Sequence, residues 1–132
     1  MQIALIAQDD KKELLTQLGI AYCGILSKHN ICATATTGKL VADTTGLNVV
    51  RFMNGKGGVQ QIASRISYNE IDLLFFFRDP ITHRSTEPDS SDIFSLCDAH
   101  NIPFATNIAT GEVLIQGLAR GDMDWRNIVN PK

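Results

Sequence analysis

The chain has 132 residues, enough for one compact domain with one core and too few for a second. A hydrophobic fraction of 44% and a charged fraction of 20% are those of an ordinary globular protein and exclude a disordered one. Twelve basic against fourteen acidic residues leave a net charge of -2, with no basic excess to hold nucleic acid or a membrane surface. Met1 leads directly into Gln-Ile-Ala-Leu-Ile-Ala, which reads as a strand and not as a basic leader, so no signal peptide is expected. No apolar run reaches the roughly 18 residues of a membrane helix. Cys23, Cys32 and Cys97 are odd in number and lack CxxC spacing, which fits a reduced, cytoplasmic protein without disulfides.

Strand and helix signals alternate from end to end. Residues 3–7 form a short apolar run, as expected for a strand buried on both faces of a parallel sheet. Asp9 and Asp10 suit a helix start, and Leu14, Leu18, Tyr22 and Ile25 then recur at helical spacing. Residues 31–35 are a second strand. Thr36, Thr37 and Gly38 turn into a short helix that ends near Gly46. Residues 49–53 are a third strand, residues 54–58 a glycine-rich loop, and residues 59–66 a helix. The run Asp72-Leu-Leu-Phe-Phe-Phe77 is the strongest strand signal and predicts the sheet centre. Residues 78–91 are a polar loop, long for an α/β unit and therefore a candidate functional loop. A helix to about His100, a strand over 102–106 and a helix over 110–120 complete the pattern.

This alternation predicts a five-stranded parallel sheet covered on both faces, a Rossmann-like three-layer sandwich. Right-handed crossovers place all strand-to-helix loops at one edge, where ligands bind in such sheets. That edge gathers Gln8 and Asp9, residues 34–38, residues 54–58, Arg78 with Asp79 and Pro80, and Thr106 with Asn107. The run Thr34-Ala35-Thr36-Thr37-Gly38 offers hydroxyls and backbone N–H groups ahead of a helix, a natural seat for a phosphate. Plain capping by Thr36 or Thr37 explains the same run. Gly55 and its neighbours bring backbone close to a ligand or simply make a turn. Lys12 supplies a counter-charge or stays solvated. Asp9, Asp79 and Asp89 are carboxylates suited to proton transfer, or else cap and turn residues. His29, His83 and His100 show no metal spacing.

These motifs, in this order, resemble the methylglyoxal synthase family. Residues 3–12, IALIAQDDKK, are similar to that family's IALIAHDxKK. TATTG at 34–38 resembles its TGTTG, FRDPI at 77–81 its (F/L)xDPL, and Glu87-Pro88-Asp89 the end of its PHEPD. NIPFATNIAT at 101–110 resembles NIPLATNxxT, and the tail through Asp124, Trp125 and Arg126 also matches. The resemblance covers essentially the whole chain. It implies dihydroxyacetone phosphate as ligand, no cofactor, and usually a homohexamer. The family's reaction takes a proton from the hydroxymethyl carbon, expels inorganic phosphate from the enediolate and leaves methylglyoxal. By position, Lys12, Thr34, Thr36, Thr37, Gly38, Asn54 and Gly55 correspond to the phosphate cradle. Asp9, Asp79 and Asp89 correspond to conserved carboxylates.

The departures fall in the same places. The family's SGPxGGDQQ stands here as NGKGGVQQ at 54–61, one residue shorter. Val59 therefore occupies the position of the principal catalytic aspartate, and Thr86 that of the PHEPD histidine. Gln8 replaces the histidine of AHD, and Ala35 the glycine of TGTTG. Two expectations follow: an enzyme of reduced activity leaning on Asp9 or Asp79 as base, or a non-catalytic module that senses a phosphorylated metabolite.

Overall fold

The computed structural model describes residues 1–79 and 91–129. Its five strands are β1 (Gln2–Ala7), β2 (Asn30–Ala33), β3 (Val49–Arg51), β4 (Leu73–Phe77) and β5 (Phe104–Ala105). They form one sheet in the order β3-β2-β1-β4-β5, and every pairing is parallel. Seven helices connect and flank them: α1 (Lys12–Ala21), α2 (Cys23–Leu26), α3 (Ala35–Thr45), α4 (Gly55–Ser67), α5 (Ser91–Ala99), α6 (Ile108–Arg120) and α7 (Arg126–Val129).

Period-two alternation divides the sheet between two cores. Ile3, Leu5, Phe75 and Phe77 face one way, against Leu15 and Leu18 of α1, Val41 of α3 and Ile115 of α6. Ala4, Ile6, Leu74 and Phe76 face the other way, against Ile62 and Ile66 of α4 and Ile93 of α5. Strands β1, β2 and β4 are apolar beyond their first residues because both faces are covered, and the architecture is the expected three-layer α/β sandwich.

Several elements depart from expectation. The strongest strand signal, β4, pairs with β1 and β5, so the middle of the order belongs to β1. A run of phenylalanines reports burial on both faces, which three of the five strands share, and not rank within the sheet. The predicted glycine-rich loop at 54–58 is largely helix, because α4 already begins at Gly55. Helix α3 likewise starts at Ala35, so Thr36 to Gly38 form its first turn instead of leading into it. The first helical segment is a 3₁₀ turn over Asp9–Lys11 followed by α1, and it breaks at Tyr22 before the short α2. Strands β3 and β5 are shorter than their apolar runs, and the four-residue α7 was not foreseen. Gly46 ends α3 in the left-handed conformation at φ 76°, a cap that glycine adopts without steric cost.

Candidate functional site

Strand order reverses direction between β1 and β4, the first and fourth strands, which lie side by side. Loops leaving such a pair diverge to opposite sides and open a crevice beyond the carboxyl ends. The chain stitches this edge together with hydrogen bonds. Gln8 N–H donates to the Phe77 carbonyl (3.0 Å), and Arg78 N–H to the Thr106 carbonyl (3.2 Å). Thr34 N–H donates to Leu5 (3.4 Å), and Ala35 N–H to Met53 (3.4 Å). The ends of all five strands thus meet at one rim, as the topology predicts.

At the centre of the rim lies Gln8, buried although polar. Its Oε1 accepts the Asp79 N–H at 2.7 Å, so one side chain ties the end of β1 to the backbone of a candidate carboxylate. The sequence marks Gln8 only as a substituted histidine; its single visible signal is a polar residue ending an apolar strand. Asp9 and Lys12 form an ion pair across the 3₁₀ turn, with the lysine side chain 19% exposed and the aspartate 58%. Lys12 is therefore not a solvated surface lysine, and its Nζ lies at this rim beside Asp9.

The next loop carries the hydroxyls. Thr34 is the N-cap of α3 and is buried, yet its side chain makes no capping hydrogen bond. Thr36 Oγ1 and the Thr36 N–H both donate to Asn54 Oδ1, each at 2.8 Å. Capping by Thr36 or Thr37, the plain alternative for this run, is thus not what these hydroxyls do: the cap of α3 comes from Asn54, the residue ahead of α4. Thr37 is 1% exposed, and among the described residues its Oγ1 is the buried side-chain polar atom without a hydrogen-bond partner. An orphaned buried hydroxyl costs about 1–3 kcal/mol, so its persistence in the first turn of a helix calls for an explanation.

Two glycines set how tightly these helix starts pack. A Cβ on Gly38 would lie 2.8 Å from Arg51 Cγ. One on Gly58 would lie 1.9 Å from the Met53 carbonyl oxygen and 2.9 Å from Thr34 Cγ2. Gly58 therefore lets α4 press against the Met53 backbone, just past β3, and the Thr34 side chain. Gly55 starts α4 with φ 60°, a left-handed value that favours glycine.

The remaining candidates lie elsewhere. Val59 is 7% exposed and packs in the apolar cluster with Ile62, Ile66 and Ile93. Asp89 and Thr86, with Pro80 and His83, lie outside the described residues. His29, at the opposite edge of the sheet, bonds the Met1 amine through Nδ1 at 2.8 Å. Burial, and next the amino-terminal charge, push its pKa down. Burial pushes the Cys32 and Cys97 thiols up to about 11 and about 12, so neither is an activated nucleophile. Among the described residues no group of His, Cys, Asp and Glu is placed to hold a metal. None of their helices is long and apolar enough to cross a membrane.

The fold and its rim have counterparts among known proteins. A family model described as the MGS-like domain matches residues 21–106. The chain belongs to the methylglyoxal synthase family. Full-length similarity agrees: the methylglyoxal synthase of Caldicellulosiruptor saccharolyticus is 59% identical, over 100% of this chain and 94% of that one. The enzyme of Oceanobacillus iheyensis is 50% identical over 100% and 95%. The crystal structure of methylglyoxal synthase from Elizabethkingia anophelis superposes with a TM-score of 0.83 at 39% identity, covering 86% of this chain and 76% of that one. Membership in this family leaves the Val59 and Thr86 positions as the points at which this chain's chemistry has to be judged.

Proposed function

We propose that this chain binds dihydroxyacetone phosphate, or a closely similar phosphorylated metabolite, at the first turn of α3, and that it eliminates phosphate far more slowly than its relatives. The observation that carries the binding reading is the buried, unpartnered Thr37 hydroxyl. A phosphate oxygen at the helix start would accept from that hydroxyl and gain from the positive end of the helix. Thr34, Thr36 and Gly38 belong to the same turn, although the Gly38 N–H already donates to the Thr34 carbonyl at 2.8 Å; on this reading Gly55 is contributed by the neighbouring helix and Lys12 supplies the counter-charge. Each charge-assisted hydrogen bond is worth roughly 1.5–3 kcal/mol.

The slow-elimination reading rests on Val59. A valine cannot accept the proton from the hydroxymethyl carbon, and this one is turned into an apolar cluster. Asp9 and Asp79 are the candidate carboxylates among the described residues of the rim, and either would have to serve as base, with Asp89 as a third by resemblance. Loss of a positioned base costs about 10²–10⁴-fold. The same burial of Val59 favours a second reading, a non-catalytic module that senses the metabolite. We further propose, from family resemblance, a cytoplasmic homo-oligomer, most simply a hexamer; a monomer mass in light scattering at micromolar concentration would refute the assembly.

Phosphorus NMR of dihydroxyacetone phosphate with the purified protein follows binding and phosphate release together. The expected result is a shifted and broadened phosphate resonance with slow release, both lost in Thr37→Val and Lys12→Met. An unperturbed resonance would sink the cradle. Rapid release by the wild type would sink the slow-elimination reading, and Asp9→Asn and Asp79→Asn would then identify the base.

A further inference from the structure

Asn54 is a residue with the right chemistry to cap its own helix. As the N-cap of α4 it makes no side-chain capping bond there. Its amide instead reaches across to α3, where Oδ1 accepts both the N–H and the Oγ1–H of Thr36 at 2.8 Å. A backbone N–H only donates, so the oxygen end of the amide must face Thr36 and the NH₂ end faces away. The arrangement is anion-like in outline: one oxygen held by a hydroxyl and a backbone N–H at a helix start. Next to it, Thr37 Oγ1 lies buried and unpartnered. One donor pair in this turn is therefore already occupied by the protein itself, while the adjacent donor is not.

We propose that Asn54, which the resemblance counts in the phosphate cradle, is instead a built-in competitor for that site: its amide oxygen occupies the position of a phosphate oxygen on Thr36, and a phosphorylated ligand must displace it to engage the full turn. This rests on the phosphate reading of residues 34–38 and deepens it. A hydroxyl carries a single hydrogen, so Thr36 Oγ1 cannot serve Asn54 and a phosphate oxygen together at full strength. Phosphate wins the exchange because an ionised acceptor bonds about twice as strongly as a neutral amide. The lost amide contact subtracts from the affinity, and the side chain is long enough to hold Thr36 whenever ligand is absent. The site is thereby tuned to ligands that present a full phosphate dianion, and weak neutral acceptors are excluded.

Calorimetry with inorganic phosphate as the probe separates this proposal from the reading beneath it. Asn54→Ala and Asn54→Ser remove the competitor and are expected to bind phosphate about 2–10-fold more tightly, the span of one net hydrogen bond. Thr36→Val is expected to bind more weakly. Asn54 has no capping bond on α4 to lose but does cap α3, so a readout on the unaltered chain covers the stability these variants lose. In a phosphate titration followed by proton–nitrogen NMR, the Asn54 side-chain NH₂ pair should move to a solvent-exposed position as the Thr36 amide shifts. Weaker or unchanged binding in Asn54→Ala, with Thr36→Val still impaired, would overturn the competitor role and leave the cradle standing. Unchanged affinity in Asn54→Ala, Thr36→Val and Thr37→Val alike would remove the cradle, and this proposal with it. A static Asn54 NH₂ pair while Thr36 shifts would also overturn the displacement.

Discussion

The proposed slow elimination turns on Val59. It is nearly buried among Ile62, Ile66 and Ile93, so a carboxylate placed there meets apolar surroundings. Burial disfavours the charged form of an acid and raises its pKa. Val59→Asp alone is therefore expected to lose stability, by about 1–3 kcal/mol for an imperfectly satisfied polar group. It should also gain little activity, since a small misplacement of a catalytic group costs ~100-fold. Replacing residues 54–59 by the full-length family loop, with Thr86→His, should recover far more. Methylglyoxal trapping beside a no-enzyme control, together with thermal melts, checks both halves. A large gain from Val59→Asp alone would show that the shortened entry to α4 still aims this position at the substrate. Val59 illustrates what a sequence conveys: the substitution is plain in the motif, but the inward turn of the side chain is not, because it depends on where α4 begins.

Among the elements, α3 and α4 together build the proposed site, and their spacing depends on one glycine more than on the others. Gly58→Ala would set a methyl 1.9 Å from the Met53 carbonyl oxygen, a backbone atom that cannot move aside cheaply. Such overpacking is expected to cost about 1–3 kcal/mol. It should weaken phosphate binding too, because Thr34 Cγ2 lies on the same side. Gly57→Ala faces only the Met53 side chain, with Cε at 3.1 Å, and a thioether end can swing away. It is expected to be neutral or to stabilise by up to about 1 kcal/mol, since glycine inside a helix is unfavourable. Urea unfolding of the two variants provides the comparison, and equal stabilities would refute the close-approach argument. The same close approach explains why the glycine-rich stretch is helix and not loop. Three glycines in four residues argue against a helix on propensity alone, yet at Gly58 close contact with the Met53 backbone, just past β3, demands a residue without a side chain. The strands were legible because burial on both faces leaves continuous apolar runs. Their order was not, because a run of that kind does not reveal which strands neighbour it.

At the scale of the whole molecule, the edge opposite the site is closed by a buried ion pair. Arg126 is 1% exposed and Asp72 3%. Arg126 Nε donates to Asp72 Oδ1 at 3.3 Å, and its other nitrogens reach the carbonyls of Ile71, His100 and Asn101. Asp72 Oδ2 accepts the Gln2 N–H at 2.8 Å. A charged residue in a polar tail reads as surface, so the sequence resemblance marked Arg126 without showing this burial. Removing one partner strands the other charge: Arg126→Met is expected to cost about 3–5 kcal/mol. Adding Asp72→Asn should return part of that loss, and chemical denaturation of the single and double variants tests it; a double variant no better than the single would refute the pairing energy. The pair also imposes an order on the chain's own manufacture. All five strands are translated before Arg126, whereas the Asp72 carboxylate at the foot of β4 needs that guanidinium to be buried at a tolerable cost. The strands can gather before Arg126 is made, but the foot of β4 is closed at low cost only once that guanidinium is in place, so the segment that carries it works as a latch on a sheet already assembled.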